Sequence, residues 1–295
     1  MSSKYNNENL LEVTVHFSRM SKVMDGSRSF AKDSKPCRRK GTARAEDNKR
    51  KELQVGWFHA IRVTVFDSLY LPSGIVSTLY DRWYGPLPDR LYQYITEHAQ
   101  RGNPDSVMSA FDRFNNERQW TWCLGPAKAK IIGNIIKERQ PLACLELGTF
   151  VGYSAINAAR NLPKGARYIC VEPNGQYAQV CRKIVEFTGL DDTIHIMEGY
   201  SHDVIKQFGA QSQKAEFDFF FFDHQKSVYK SDLLLMEKEN LIRPGNVVIA
   251  DNVITSGAPD YLEYVRSSPK YLSEFIESPL QNTAMIDGLE ISVMV

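Results

Sequence analysis

Short apolar runs alternate with helical stripes over the second half of the chain. Residues 142–147 form an apolar run that ends at Gly148, and a helical stretch follows over 152–160. Residues 167–171 form a second run, ending in Glu172, and Tyr177, Val180, Cys181, Ile184 and Thr188 mark the next helical stripe. Further runs cover 193–197, 217–222 and 247–250, ending near Gly199, in Asp223 and in Asp251. Runs this short, bounded by turn residues and separated by helices, predict buried parallel strands in βαβ units. A last run, 291–295, is expected to close the sheet edge. Upstream, Ile131, Ile132, Ile135 and Ile136 put an apolar stripe on a helix over 124–140. Residues 53–115 read as helices with turns at 71–74 and 84–88, a helical N-terminal preface to the core. The pattern predicts a doubly wound α/β domain with a mostly parallel sheet and helices on both faces.

Composition refines this picture. The 295-residue chain is 43% hydrophobic and 24% charged, as in soluble globular proteins. Its formal net charge of +1 carries no polyelectrolyte signal for nucleic acid. The charge is uneven: residues 1–52 hold 13 Lys and Arg against 7 Asp and Glu, or +6, so the remainder carries −5. That Ser-, Asn- and Lys-rich segment is expected to be a disordered basic tail, with 53–295 as the folded domain. The best candidate for a membrane span, 55–76, holds Arg62 and Asp67, so no span is expected. The five cysteines form no CxxC pair, and Cys144 and Cys170 lie inside apolar runs. Reduced core thiols in a cytoplasmic, monomeric protein are expected.

Candidate chemistry gathers where the strands end. Glu146, Glu172, Ser201, Asp223, Asp251 and Asn252 all fall at the carboxyl ends of the expected strands, the edge where open α/β sheets bind ligands. The first strand runs into Leu-Gly-Thr-Phe-Val-Gly over 147–152, a GxxxG spacing rather than the GxGxxG of dinucleotide sites. Glu172 can accept hydrogen bonds from both hydroxyls of a ribose. Together these suggest a nucleoside ligand without phosphates, and S-adenosylmethionine fits that description. Asp223, Asp251 and Asn252 form a hard-oxygen set suited to Mg²⁺, which takes few protein ligands.

The stretches LELGTFVGYSA (145–155), VEPN (171–174), EGYSHDVI (198–205), FFDHQKSVY (221–229), ADNVITSGAPDYLEYVR (250–266), DGLE (287–290) and VGWF (55–58) resemble the catechol O-methyltransferases. These are S-adenosylmethionine-dependent enzymes of the Rossmann-like class. The resemblance runs from about Leu53 to the C-terminus. It implies that Asp223, Asp251 and Asn252 bind Mg²⁺ and that Lys226 is the general base, which must be neutral to take a phenolic proton. It implies contacts to S-adenosylmethionine from Leu124, Glu146, Gly148, Phe150, Ser154, Glu172, Pro173, Gly199, Ser201, His202 and Asp223. It places Trp120, Lys226, Asn252 and Gln281 around a small-molecule catechol or phenol.

The chain also departs from the family pattern. A family glutamate that engages the second catechol hydroxyl falls on Gln281, with Glu277 four residues away as the alternative if the register shifts. Gln225, Ser256 and Trp122 replace a tryptophan, a proline and a methionine of the pocket walls. Reaction type is therefore better specified than substrate. A different phenolic substrate, or a scaffold that keeps the fold with weak catalysis, are the other readings. The missing GxGxxG argues against a nicotinamide-dependent oxidoreductase.

Overall fold

The computed structural model describes residues 81–82, 85–211, 216–281, 283 and 285–295. The basic tail, the candidate span and the VGWF stretch lie outside the described residues. Among the described residues three helices precede the sheet: α1 (Leu87–His98), α2 (Pro104–Glu117) and α3 (Gly125–Arg139). The turn expected at 84–88 is shorter than the sequence suggests. Leu87 and Pro88 already belong to α1, because a proline in the first helical turn loses no hydrogen bond.

The alternation then emerges as β1 (Ala143–Leu147), α4 (Tyr153–Ala159), β2 (Arg167–Glu172), α5 (Gly175–Thr188), β3 (Ile194–Glu198) and α6 (Ser201–Gly209). It continues as β4 (Phe219–Phe222), α7 (Tyr229–Lys238), β5 (Val247–Ala250), α8 (Pro259–Ser267), β6 (Tyr271–Pro279) and β7 (Ile286–Met294). The strands form one sheet in the order β3-β2-β1-β4-β5-β7-β6. The first five are parallel, and β7 runs antiparallel to both its neighbours.

One expectation is corrected here. The run at 291–295 does not close the edge. It is the end of β7, which lies inside the sheet between β5 and β6, and the edge on that side is β6. A strand paired on only one side needs no continuous apolar run. β6 accordingly mixes pairs of polar and apolar residues that are mostly half-buried.

The core explains why the central strands are so apolar. All four residues of β4, Phe219 to Phe222, are buried, as are all four of β5. Helices cover both faces, so neither face needs polar residues. Leu145, Leu147, Phe220, Phe222 and Val248 pack with Tyr229, Leu233 and Tyr261 on one such face. The strand order reverses between β1 and β4, and the carboxyl ends of these two strands open a crevice there. Two glycines shape it. A β-carbon on Gly148 would lie 2.7 Å from the backbone of His224, so the turn after β1 passes directly against the loop after β4. Gly152 has φ +92°, and a β-carbon there would lie 2.9 Å from the sulfur of Cys181 on α5.

Candidate active site

Two groups of residues meet at the carboxyl edge. The first surrounds β1 and β2. The Glu146 carboxylate is fully buried and accepts a hydrogen bond from the Ser154 hydroxyl at 2.5 Å. Glu172, 6% exposed, accepts the Phe150 amide at 2.8 Å on one oxygen and the Asn174 amide at 3.0 Å on the other. These bonds fix the carboxylate while leaving further lone pairs on both oxygens. Phe150 adopts φ +52° and packs edge-on against Tyr177. Pro173 and His202 are exposed on this edge, with Gly199 and Ser201 half-buried beside them.

Burial pushes the Glu146 carboxyl up from its usual 4.5 to about 7, against the opposing pull of the Ser154 hydrogen bond. Between those two values the folded protein holds a proton that the unfolded chain has lost. The stability contributed by this group is full below pH 4.5 and is lost as pH rises through about 7. Thermal unfolding of the ligand-free protein is therefore expected to show a component that falls between pH 5 and 8, within about that window. A Glu146→Gln protein should lack that component. An identical pH slope in both proteins would contradict the assignment.

The second group surrounds β4 and β5. Lys226 opens a single helical turn, Lys226–Val228. Its Nζ donates to Asp223 Oδ1 at 2.8 Å and to the Tyr229 hydroxyl at 2.9 Å. The Tyr229 hydroxyl in turn donates to the Phe222 carbonyl at 2.7 Å. Asp251 is 1% exposed at the end of β5. Burial and the charge of Asp223 push its carboxyl above the usual carboxylate range, against the pull of Lys128 and Lys226. His224 follows Asp223 in sequence, and its Nε2 lies 2.9 Å from Asp232 Oδ2 of α7.

Two further residues, to which the sequence reading gave no role, hold this group together. Lys128 of α3 is 1% exposed, and its Nζ donates to Asp251 Oδ1 and, at 2.5 Å, to Asp287 Oδ2. Asp287 of β7 is fully buried. It also accepts the Asn252 Nδ2 at 2.7 Å and the amides of Ile254 and Thr255 at 3.3 and 3.0 Å. The Lys128 charge and these donors hold the Asp287 carboxyl below its usual range despite burial. Asp287 thus fixes the loop after β5, where Asn252 and Ser256 take left-handed φ values of +54° and +75°. Such backbone is held only where its surroundings over-determine it. A signal for Lys128 is present in the sequence: it lies four residues after Leu124 and four before Ile132, on the apolar face of α3.

The donor set suits a hard dication. The Asp223 charge opposes the ionisation of Asp251, a repulsion that a cation between them relieves. Asp287 holds the Asn252 nitrogen, so the amide oxygen is the arm left for a ligand. Among the described residues no cluster of three or more His, Cys, Asp or Glu side chains converges.

A cleft above this group is lined by Trp120, Trp122, Cys123, Leu124, Lys128, Asp251, Asn252, Leu280 and Gln281. Trp120 and Trp122 lie with ring centroids 3.9 Å apart, and Trp122 is 66% exposed with φ +55°. Of Glu277 and Gln281, only Gln281 lines this cleft. Glu277 pairs with Gly288 on the edge strand and is exposed, whereas Gln281 is 3% exposed and faces the cleft. Gln225 and Ser256 are both exposed. The structure thus brings Asp223, Lys226, Asp251 and Asn252 together, with Trp120, Leu124 and Gln281 on the cleft beside them. Glu146, Phe150, Ser154 and Glu172 form the neighbouring group.

A doubly wound sheet whose acids and lysine converge at the β1/β4 crevice defines a Rossmann-like enzyme scaffold. Residues 105–277 match the family model described as O-methyltransferase, and the chain belongs to that family. It is 44% identical to Catechol O-methyltransferase B of Danio rerio over 70% of this chain and 78% of the relative. It is 40% identical to Catechol O-methyltransferase of Bos taurus over 68% of this chain and 74% of the relative. Its fold is similar to that of an O-methyltransferase from Bacillus cereus solved in complex with SAH. That likeness has a TM-score of 0.56 at 22% identity, over 75% of this chain and 97% of the other. Among the described residues no helix is long and apolar enough to cross a membrane.

Proposed function

We propose that the protein transfers a methyl group from S-adenosylmethionine to a hydroxyl of a catechol in a Mg²⁺-dependent reaction. The observation that carries this reading is the convergence of Asp223, Lys226, Asp251 and Asn252 beneath an aromatic-walled cleft. The catechol O-methyltransferases among its relatives support the substrate, and the neighbour solved with SAH supports the donor. Residues 53–295 are the catalytic domain in this reading. The four buried free thiols at Cys123, Cys144, Cys170 and Cys181 fit a cytoplasmic setting.

Each side chain has a part in the proposed reaction. Glu172 receives the ribose hydroxyls, and Phe150 and Tyr177 wall the nucleoside. Glu146, with Ser154, faces the amino-acid end of the donor, and Leu124, Gly148, Pro173, Gly199, Ser201, His202 and Asp223 complete its surroundings. Asp223, Asp251 and the Asn252 oxygen would hold Mg²⁺, which when bound raises the acidity of phenolic oxygens beside it. Lys226 takes the proton of the attacking hydroxyl at Nζ. Tyr229 fixes that nitrogen through the Phe222 carbonyl. Trp120 closes over the ring. Holding oxygen and methyl carbon in line supplies much of the acceleration.

The test is methyl transfer from methyl-labelled S-adenosylmethionine to catechol and to phenol. Labelled product from catechol, at least about tenfold above phenol, is expected, because phenol lacks the second oxygen that the acids and amide are placed to meet. Equal rates on both would contradict a catechol site.

A further inference from the structure

We infer that Gln281 sets the tolerance of the site toward the neighbour of the methylated hydroxyl, so that it takes phenols whose ortho oxygen carries no proton as well as catechols. The inference rests on the methyltransferase reading above and specifies its substrate class. Four observations carry it.

First, Gln281 is 3% exposed and neither its Oε1 nor its Nε2 has a hydrogen-bond partner among the described residues. A buried amide left unpaired on both arms is destabilising, and such groups are kept where something else meets them. Second, Gln281 lines the same cleft as Trp120, Asp251 and Asn252, so what meets it is whatever enters that cleft. Third, the charged and amide groups beside it have partners, Asp251 with Lys128 and Asn252 Nδ2 with Asp287, and the one other buried unpaired polar atom of the cleft among the described residues is the Trp120 Nε1, a donor that accepts nothing. Fourth, Gln281 is braced against the start of α3. A β-carbon on Gly125 would lie 3.0 Å from its Cγ and 3.1 Å from its Cα, so the side chain has no room to withdraw on that side.

The chemistry follows from the donor and acceptor inventory of the amide. A carboxylate in this place only accepts, so it welcomes a neighbouring hydroxyl and repels an oxygen that has lone pairs alone. A glutamine amide does both. Its Oε1 accepts from a hydroxyl, and its Nε2 donates to an ether or carbonyl oxygen. Catechol satisfies the first arm. A 2-methoxyphenol or a 2-hydroxyaryl ketone satisfies the second. The reaction is the same for each: the phenolic oxygen forms a bond to the methyl carbon as the carbon–sulfur bond breaks. The phenolic proton passes to Lys226, and the demethylated donor leaves.

The experiment measures kcat/KM with labelled S-adenosylmethionine and Mg²⁺ on catechol, 2-methoxyphenol, 2′-hydroxyacetophenone and phenol. It compares wild type, Gln281→Glu and Gln281→Met. Wild type is expected to methylate both protonless ortho-oxygen substrates well above phenol. Gln281→Glu is expected to shift the ratio of catechol to the other two by about 10- to 100-fold toward catechol, the effect of one lost buried hydrogen bond. Gln281→Met, of similar volume and without either arm, should lose ground on all three ortho-oxygenated phenols relative to phenol. An unchanged substrate ratio in both variants overturns the inference. So does a wild type that methylates catechol and neither 2-methoxyphenol nor the ketone. No transfer to catechol by wild type, with S-adenosylmethionine still bound in calorimetry, overturns the methyltransferase reading itself and this inference with it.

Discussion

A Lys226→Met protein is expected to bind S-adenosylmethionine as wild type does and to turn over catechol about 10²- to 10⁴-fold more slowly, the usual range for losing a positioned general base. The expectation rests on placement. The Lys226 nitrogen is held between Asp223 Oδ1 at 2.8 Å and the Tyr229 hydroxyl at 2.9 Å, at the rim of the crevice between β1 and β4. Methionine keeps the length of the side chain and removes the amine. A Lys226→Arg protein separates two meanings of the residue. Arginine keeps the charge and cannot give up its proton in a protein. If the amine acts as a base, both variants lose turnover. If only a positive charge is needed there, arginine restores most of it. Single-turnover rates, with donor affinity measured by calorimetry, distinguish the two.

The second large effect falls on stability. Lys128→Met is expected to destabilise the folded protein by about 3–5 kcal/mol, the effect of removing one partner of a buried ion pair. Lys128 stands between two carboxylates, Asp251 and Asp287, and all three side chains are buried. Without it two negative charges face each other in the interior with no countercharge in reach on α3. Asp287 also holds Asn252 and the amides of Ile254 and Thr255, so loosening it frees the loop that carries a proposed metal ligand. Denaturant unfolding at pH 7 measures the loss. Adding Asp287→Asn to Lys128→Met removes one of the stranded charges and should restore part of the stability. A loss under about 1 kcal/mol, the value of an exposed pair, would contradict the role given to Lys128.

How much of this was legible in the sequence depends on burial. The parallel strands announce themselves because both their faces are covered, so Phe219–Phe222 and Val247–Ala250 are continuous apolar runs. β6 was missed because an edge strand with half-buried faces carries Ser273, Glu274 and Glu277 among its apolar residues. β7 was recognised only at its end. Its earlier half holds Asp287, Gly288 and Glu290, which look like a loop until their partners are known: Lys128 for Asp287 and Arg266 for Glu290. The same reason hid Lys128, since a lysine in an apolar stripe is ambiguous without the two acids that α3 meets across the fold.

The residues of the candidate site were far more legible. Asp223, Asp251 and Asn252 end strands, and strand ends are visible as the last polar residue after an apolar run. Lys226 follows Asp223 by one tight turn, so sequence spacing and spatial proximity coincide there. Gln281 was harder. Its place depends on the pairing of β6 with β7, in which Glu277 meets Gly288 and turns to solvent. The six positions 280–285 between the two strands carry no two-residue turn signal, so the sequence does not show the register that the turn sets.

The account turns on Asp223, Asp251 and Asn252 acting as a metal site that serves methyl transfer. The most direct measurement is labelled methyl transfer from S-adenosylmethionine to catechol by protein stripped with EDTA, titrated with Mg²⁺, in wild type and Asp251→Asn. The account predicts no transfer in EDTA and recovery that saturates with Mg²⁺ in wild type. It predicts a large loss in Asp251→Asn with S-adenosylmethionine binding retained. Transfer to catechol that persists in EDTA and is indifferent to Asp251→Asn would contradict it.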